Sequence, residues 1–289
     1  MEVWIIINPL LKVVLYAASF VSVGTFLFSL HFAKILTLAQ MAYCDYLTSK
    51  TALVGAATSF LMVVSVAGNL GGDITSVVEP VMLQLAIESK SGVGYLTAFT
   101  GFIIMSVVSR LRGHVNRVGL LGSSAVILLS FSISGHSQLG GFLSQLLLVI
   151  HLFGIAFWLG ALMPFRWMCL QPDPDNLCIV AHRFGAVAVG YVGLLLSAGI
   201  GYAYLLLGDI TLMFTTPYGN TLFVKIVLVV ALLSLAALNK FKLVPLLESR
   251  QAHAVRQFER SILFEIAIAL IILTASSLLT TSMTLPATM

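Results

Sequence analysis

With 289 residues, 59% of them hydrophobic and only 9% charged, the chain is not a soluble globular domain, which would carry about 25% charged residues. The formal charge of +4 does not mark a nucleic-acid binder, because the 15 basic residues stand in short segments between long apolar runs and read as determinants of membrane topology. Cys44, Cys169 and Cys178 have no regular spacing, so no disulfide scaffold is expected.

The expected fold class is all-α: a single transmembrane domain, 1–289, with eight apolar spans at 9–31, 51–71, 93–110, 118–134, 142–164, 184–207, 220–239 and 261–282. Each is near the ~20 residues needed to cross a bilayer, the fourth being the shortest. The first span is expected to be retained. Glu2 stands where a signal peptide would be basic, and the apolar run is too long for its central region.

Charge alternates from loop to loop. Lys34 and Lys50 follow the first span, Arg110, Arg112 and Arg117 the third, Arg166 and Arg183 the fifth, and Lys240, Lys242, Arg250, Arg256 and Arg260 the seventh. The other side has Lys90 against Asp73, Glu79, Glu88 and Asp209. The positive-inside rule then puts both termini outside the cytoplasm, in a bacterium the periplasm. In the outer loop 72–92, Val77, Val78, Val81, Met82, Leu85 and Ala86 recur at helical spacing, which predicts a short amphipathic helix there.

Gly72-Asp73-Ile74-Thr75 recurs as Gly208-Asp209-Ile210-Thr211, at an offset of 136 that also brings Gly24 onto Gly160 and Val13 onto Val149. Two parallel four-helix repeats, 1–134 and 135–289, are the expected organisation. Under this alignment Leu15 stands opposite His151, so the second half alone has a histidine there.

The stretch 135–164 holds the sharpest functional signal. His136 lies in an outward Gly/Ser turn, and His151 lies about nine residues further in, ~13 Å deep at 1.5 Å per residue. An imidazole inside a membrane helix is costly to bury and usually has a partner or a task. A metal ion received at His136 and held at His151 would bind modestly at each, as passage requires. The alternatives are a solvated loop histidine at 136 and a core imidazole bonded to a backbone carbonyl at 151. Met82, Met213, Met283 and Met289 near the outer side are thioethers suited to Cu(I), or ordinary apolar residues.

On the inner side, Met168, Cys169, Cys178 and His182 form a candidate soft release site, with Cys178 and His182 one turn apart on a helix start. His31, His114 and His253 read as solvated or interfacial residues. Lys12 and Lys225, near the outer boundary, are expected to snorkel. Glu265, in the eighth span, is expected to neutralise Lys240 or Arg183 across the bundle. No phosphate-binding loop or haem-attachment motif is present, and no enzyme activity is expected.

Taken together and in order, GHS at 135–137, His151-Leu152, FWLGAL at 157–162, HRF at 182–184, TPYGNTLFVK at 216–225 and NKFKLVP at 239–245 resemble the copper resistance protein D family. The resemblance is carried by 135–282, with weaker motifs in the first half. An arginine of that family early in the third span has no counterpart here, where Thr97, Ala98 and Phe99 stand. The NKFKLVP segment reads as structural, with Asn239 capping a helix end and Pro245 stopping it.

The resemblance implies a bacterial inner-membrane copper protein, with a copper ion, Cu(I) or Cu(II), as its cargo. It also implies a periplasmic copper-binding protein of the CopC type as partner. His136 and His151 map on the family's outer-loop and fifth-span histidines. Inward copper transport is the leading expectation. A b-type haem or copper redox protein is one alternative, which the mismatched depths of His136 and His151 disfavour. A membrane anchor or sensor for a periplasmic copper chaperone is the other.

Overall fold

The computed structural model describes residues 2–111, 113–135, 138, 140–171, 175–207, 211–249 and 253–281. Among them the regular structure is helical throughout: α1 Glu2–Phe32, α2 Leu38–Gly71, a 3₁₀ turn Thr75–Val78, α3 Pro80–Glu88, α4 Lys90–Val108, α5 His114–Ser130, α6 Gly141–Cys169 and α7 Asp175–Leu207. There follow α8 Leu212–Thr215, α9 Pro217–Leu238, a π turn Asn239–Leu243, α10 Val244–Glu248 and α11 Ala254–Thr281. This is an all-α, multi-pass membrane protein. Helices suit a bilayer because every backbone bond closes within the segment.

Seven of these helices are long and apolar enough to cross a membrane. The expected fourth span corresponds to α5, whose 17 residues extend only ~25 Å against a hydrocarbon core of ~30 Å. The first residues of α1 and the last of α11 lie at the same end of the bundle: Ser277 Oγ donates to Pro9 O at 2.7 Å, and the Tyr16 and Thr280 hydroxyls are 3.4 Å apart. Phe131, at the end of α5, stacks on Tyr16 with ring centroids 5.2 Å apart, so α5 too runs towards that end.

Several helices outrun the apolar windows that announce them. The second was expected from 51 but starts at Leu38, and the sixth was expected from 184 but starts at Asp175. Hydropathy ends at the first charges, whereas a helix continues while its backbone groups are satisfied. Thr37 and Gln40 form a reciprocal capping box at the start of α2. Asn176 Nδ2 donates to Gln40 Oε1 at 2.6 Å and to Ile35 O at 3.0 Å, tying the start of α7 to the α1–α2 turn. The helix expected within 72–92 is α3, preceded by a 3₁₀ turn that Asp73 caps by accepting from Ser76 N at 2.8 Å and Ser76 Oγ at 2.7 Å. These bonds and one from Thr75 hold the Asp73 carboxyl below the ordinary carboxylate range.

The bundle is built on α1 and α6. Gly24 and Gly160 meet face to face, and Thr25 Oγ1 donates across the contact to Gly160 O at 3.0 Å. A Cβ on Gly24 would strike Ala156 O and come within 2.8 Å of Gly160 Cα. Small residues let membrane helices approach to backbone distance, where dispersion and an interhelical hydrogen bond replace the missing hydrophobic drive. Phe20, Val23, Phe28, Ala156, Phe157 and Ala161 close the core around this point.

The two flanks differ. In the first half α2 and α4 pack closely, with Phe102 seated on Gly55. In the second half α7 and α9 are not packed along their length, and a cavity of about 250 Å³ lies between α6, α7, α9 and α11.

Gly24→Ala is expected to destabilise the protein by about 1–3 kcal/mol, the usual cost of overpacking a tight contact. Gly122→Ala, which adds its methyl to open space, should not. Thermal unfolding of both variants in detergent checks the difference.

Candidate functional site

His151 lies in α6, ten residues after its first residue Gly141, ~15 Å along the helix. Its Nδ1 is 3.0 Å from Leu195 O of α7. A carbonyl oxygen only accepts, so Nδ1 carries the hydrogen, and in the neutral ring Nε2 keeps its lone pair. A bond that fixes one ring nitrogen and leaves the other as a ligand is how metal-binding histidines are held.

Gly199 makes the room. One turn beyond Leu195, its Cα lies beneath the imidazole, and a Cβ there would come within 2.8 Å of both Cε1 and Nδ1. Lys225 of α9 is close enough to act electrostatically on the ring. Its side chain is half-buried. Lys12 turns inward: its Nζ lies 3.5 Å from Tyr95 Oη and 5.6 Å from the centroid of that ring. The aromatic faces give this ammonium a partner inside the bundle.

His136, the candidate entry ligand, lies outside the described residues, as do Met283, Met289 and the second Gly-Asp-Ile segment. Met168 and Cys169 are buried at the end of α6, Cys178 is half-buried in α7, and none of the three cysteines is in a disulfide. The His182 side chain is 69% exposed, and its Nε2 is 4.0 Å from Glu248 Oε1. Among the described residues no three His, Cys, Asp or Glu side chains form a metal-holding group, so Cys169, Cys178 and His182 do not converge.

His31 is more than interfacial. Its Nδ1 donates to Leu27 O at 2.9 Å, Tyr191 Oη is 3.1 Å from its Nε2, and its ring meets Phe157 edge-on. Tyr191 stacks on Phe157 at 3.8 Å between centroids, which ties α1, α6 and α7 into one aromatic cluster below His151.

A second polar group lies seven residues beyond His151 on α6, on the same helical face. Trp158 Nε1 donates to Glu265 Oε2 at 3.0 Å, and Asn239 Nδ2 donates to Glu265 Oε1. Glu265 makes no ion pair with Lys240 or Arg183, which corrects its expected role. Asn239 stands at the C-terminal cap position of α9, but the chain does not leave the helix there. The helix passes through it into a π turn, and Pro245 opens α10 instead of stopping the chain. The wider turn accommodates a proline that lacks an N–H and would clash in a regular α-helix.

Sequence reasoning passed over Gly199, Trp158 and the side-chain role of Asn239. The i, i+7 relation of Trp158 to His151 was the signal that would have placed the tryptophan on the histidine's face.

Comparison with known proteins extends the resemblance over both halves. Residues 1–145 match the copper resistance protein D-like N-terminal domain, and residues 179–279 match copper resistance protein D. Copper resistance protein D of Pseudomonas syringae pv. tomato is 24% identical over 249 residues, which cover 78% of this chain and 80% of that protein. No solved structure matches. The first half, weak in short motifs, thus has its own family signal, and the chain belongs to the copper resistance protein D family.

Proposed function

We propose that this protein serves copper resistance by moving copper across the bacterial inner membrane, inward from the periplasm. His136 receives the ion from a periplasmic copper-binding protein of the CopC type, and His151 holds it within the bundle. The observation that carries this reading is the His151 ring, anchored through Nδ1 to Leu195 O with Nε2 left as a ligand. Membership of the family supports copper as the ion. The basic loops support the orientation, with the chain ends and the 135–141 turn outside.

The site is built for passage. A single imidazole binds either oxidation state of copper only modestly, and the nearby Lys225 ammonium repels a cation and shortens its stay. The two halves are read as parallel four-helix repeats. Gly24 and Gly160, equivalent at the offset of 136, are the residues at which α1 and α6 meet, which supports that reading.

Copper uptake into proteoliposomes, with loaded donor protein outside, tests the proposal. The wild type is expected to take up copper, His136→Ala to lose most of the rate, and His151→Ala to fall to the protein-free background. Uptake by His151→Ala at the wild-type rate removes the histidine from the path, and no uptake by the wild type ends the transport reading. Gly199→Ala, which pushes the ring off its anchor, is expected to slow uptake at least tenfold. Gly193→Ala, on the same helix with open space around it, should leave uptake unchanged.

A further inference from the structure

The cavity between α6, α7, α9 and α11 is lined by apolar and aromatic side chains, Phe165 and Phe184 among them, except where Glu265, Asn239, Trp158 and Lys240 reach it. Glu265 is 2% exposed. It accepts one hydrogen bond at each carboxyl oxygen, from Trp158 and from Asn239. Asn239 is 9% exposed, and its Oδ1 is buried without a partner. Phe241 of the π turn and Val189 of α7, both on the cavity wall, are 75% and 57% exposed, so the opening lies between α7 and the π turn that follows α9.

Few charged groups face this carboxyl among the described residues. The π turn brings Lys240, which lines the cavity but lies over the Phe241 ring at 5.6 Å and makes no ion pair with Glu265. The neighbouring α10 brings Glu248, which sits with His182. On α7, Arg183 lines a different pocket with His31 and Lys34. The α6 wall is Trp158, Leu162 and Phe165, with nothing titratable.

An ionised carboxylate inside a membrane bundle needs a compensating positive charge, and two neutral donors do not provide one. The space is sufficient for several waters at about 30 Å³ each. The orphan Asn239 Oδ1 can accept a hydrogen from one of them, or from the acid itself if the amide turns over. A π turn interrupting a helix beside such a group is a common mark of a functional position.

We propose that this cavity is a proton-binding site. Glu265 holds an exchangeable proton that enters and leaves through the gap between α7 and the π turn, and Asn239 and Trp158 position the carboxyl. The proton moves between a cavity water and a Glu265 oxygen, and no other bond changes. This proton site needs no copper to operate.

Dicyclohexylcarbodiimide tests it on the full chain in native membranes, because the reagent is apolar and reacts only with a carboxyl that bears its proton. Mass spectrometry of the labelled protein is expected to find the adduct on Glu265, with a yield several-fold lower in alkaline than in acidic buffer. Gly185→Leu, which fills the cavity from α7, is expected to reduce labelling at least fivefold. Asn239→Ala, which loosens the carboxyl, should shift the pH at which labelling falls. A Glu265 without adduct at any pH overturns the proposal, as does a yield that ignores pH. Labelling that survives Gly185→Leu unchanged overturns the route through the cavity. Since the readout involves no copper, a protein that transports none still decides the matter.

Discussion

The contact of Gly24 with Gly160 is the constraint on which the rest of the bundle depends. In lipid the solvent is as apolar as the side chains, so burying a leucine between two helices yields little, and close backbone approach has to supply the attraction. Two glycines and the Thr25 hydroxyl supply it at the crossing of α1 and α6. The aromatic core forms around that crossing, from Phe20 and Phe28 on α1 to Phe157 on α6. Further out, α7 is held to α6 by the Phe157–Tyr191 stack and by the His151 bond.

Polar groups in this core are placed one at a time. Many serines and threonines on the helices turn back to carbonyls three or four residues earlier, as Ser19 does to Leu15 O at 2.7 Å, which makes those hydroxyls neutral in a membrane. His151, Lys12 and Glu265 escape that pattern, because their partners lie on other helices. Two of the three, His151 and Glu265, lie in the second half, which also has the looser wall, where α7 and α9 stand apart. Chemistry-bearing side chains and poor helix packing thus coincide, as expected where function needs local freedom.

The sequence made part of this plain. Alternating loop charge and apolar runs revealed an all-helical membrane protein, and the depth of His151 could be counted from a turn. Gly24 and Gly160 were visible as equivalent positions but not as neighbours. What escaped was long-range pairing. Leu195 lies 44 residues from His151, and Glu265 lies 26 from Asn239 and 107 from Trp158, so no local pattern links them. A carboxylate in a basic-looped protein invited a salt bridge, while the fold gave it an indole and an amide. Helix ends were misjudged because hydropathy reports where lipid stops, and Thr37 and Gln40 carry a helix beyond that point.

The shortness of α5 bears on the lipid itself. It sits at the rim against α4, with Val115, Val118, Leu121 and Leu129 turned outward. Its neighbour α4 has 19 residues, ~28 Å and close to a normal hydrocarbon core, whereas α5 has 17, a shortfall that local thinning of the bilayer or snorkelling of flanking side chains meets at fractions of a kcal/mol per Å. The protein is therefore lopsided in hydrophobic thickness. A thinner bilayer fits the α5 flank better than the flanks made by the longer helices.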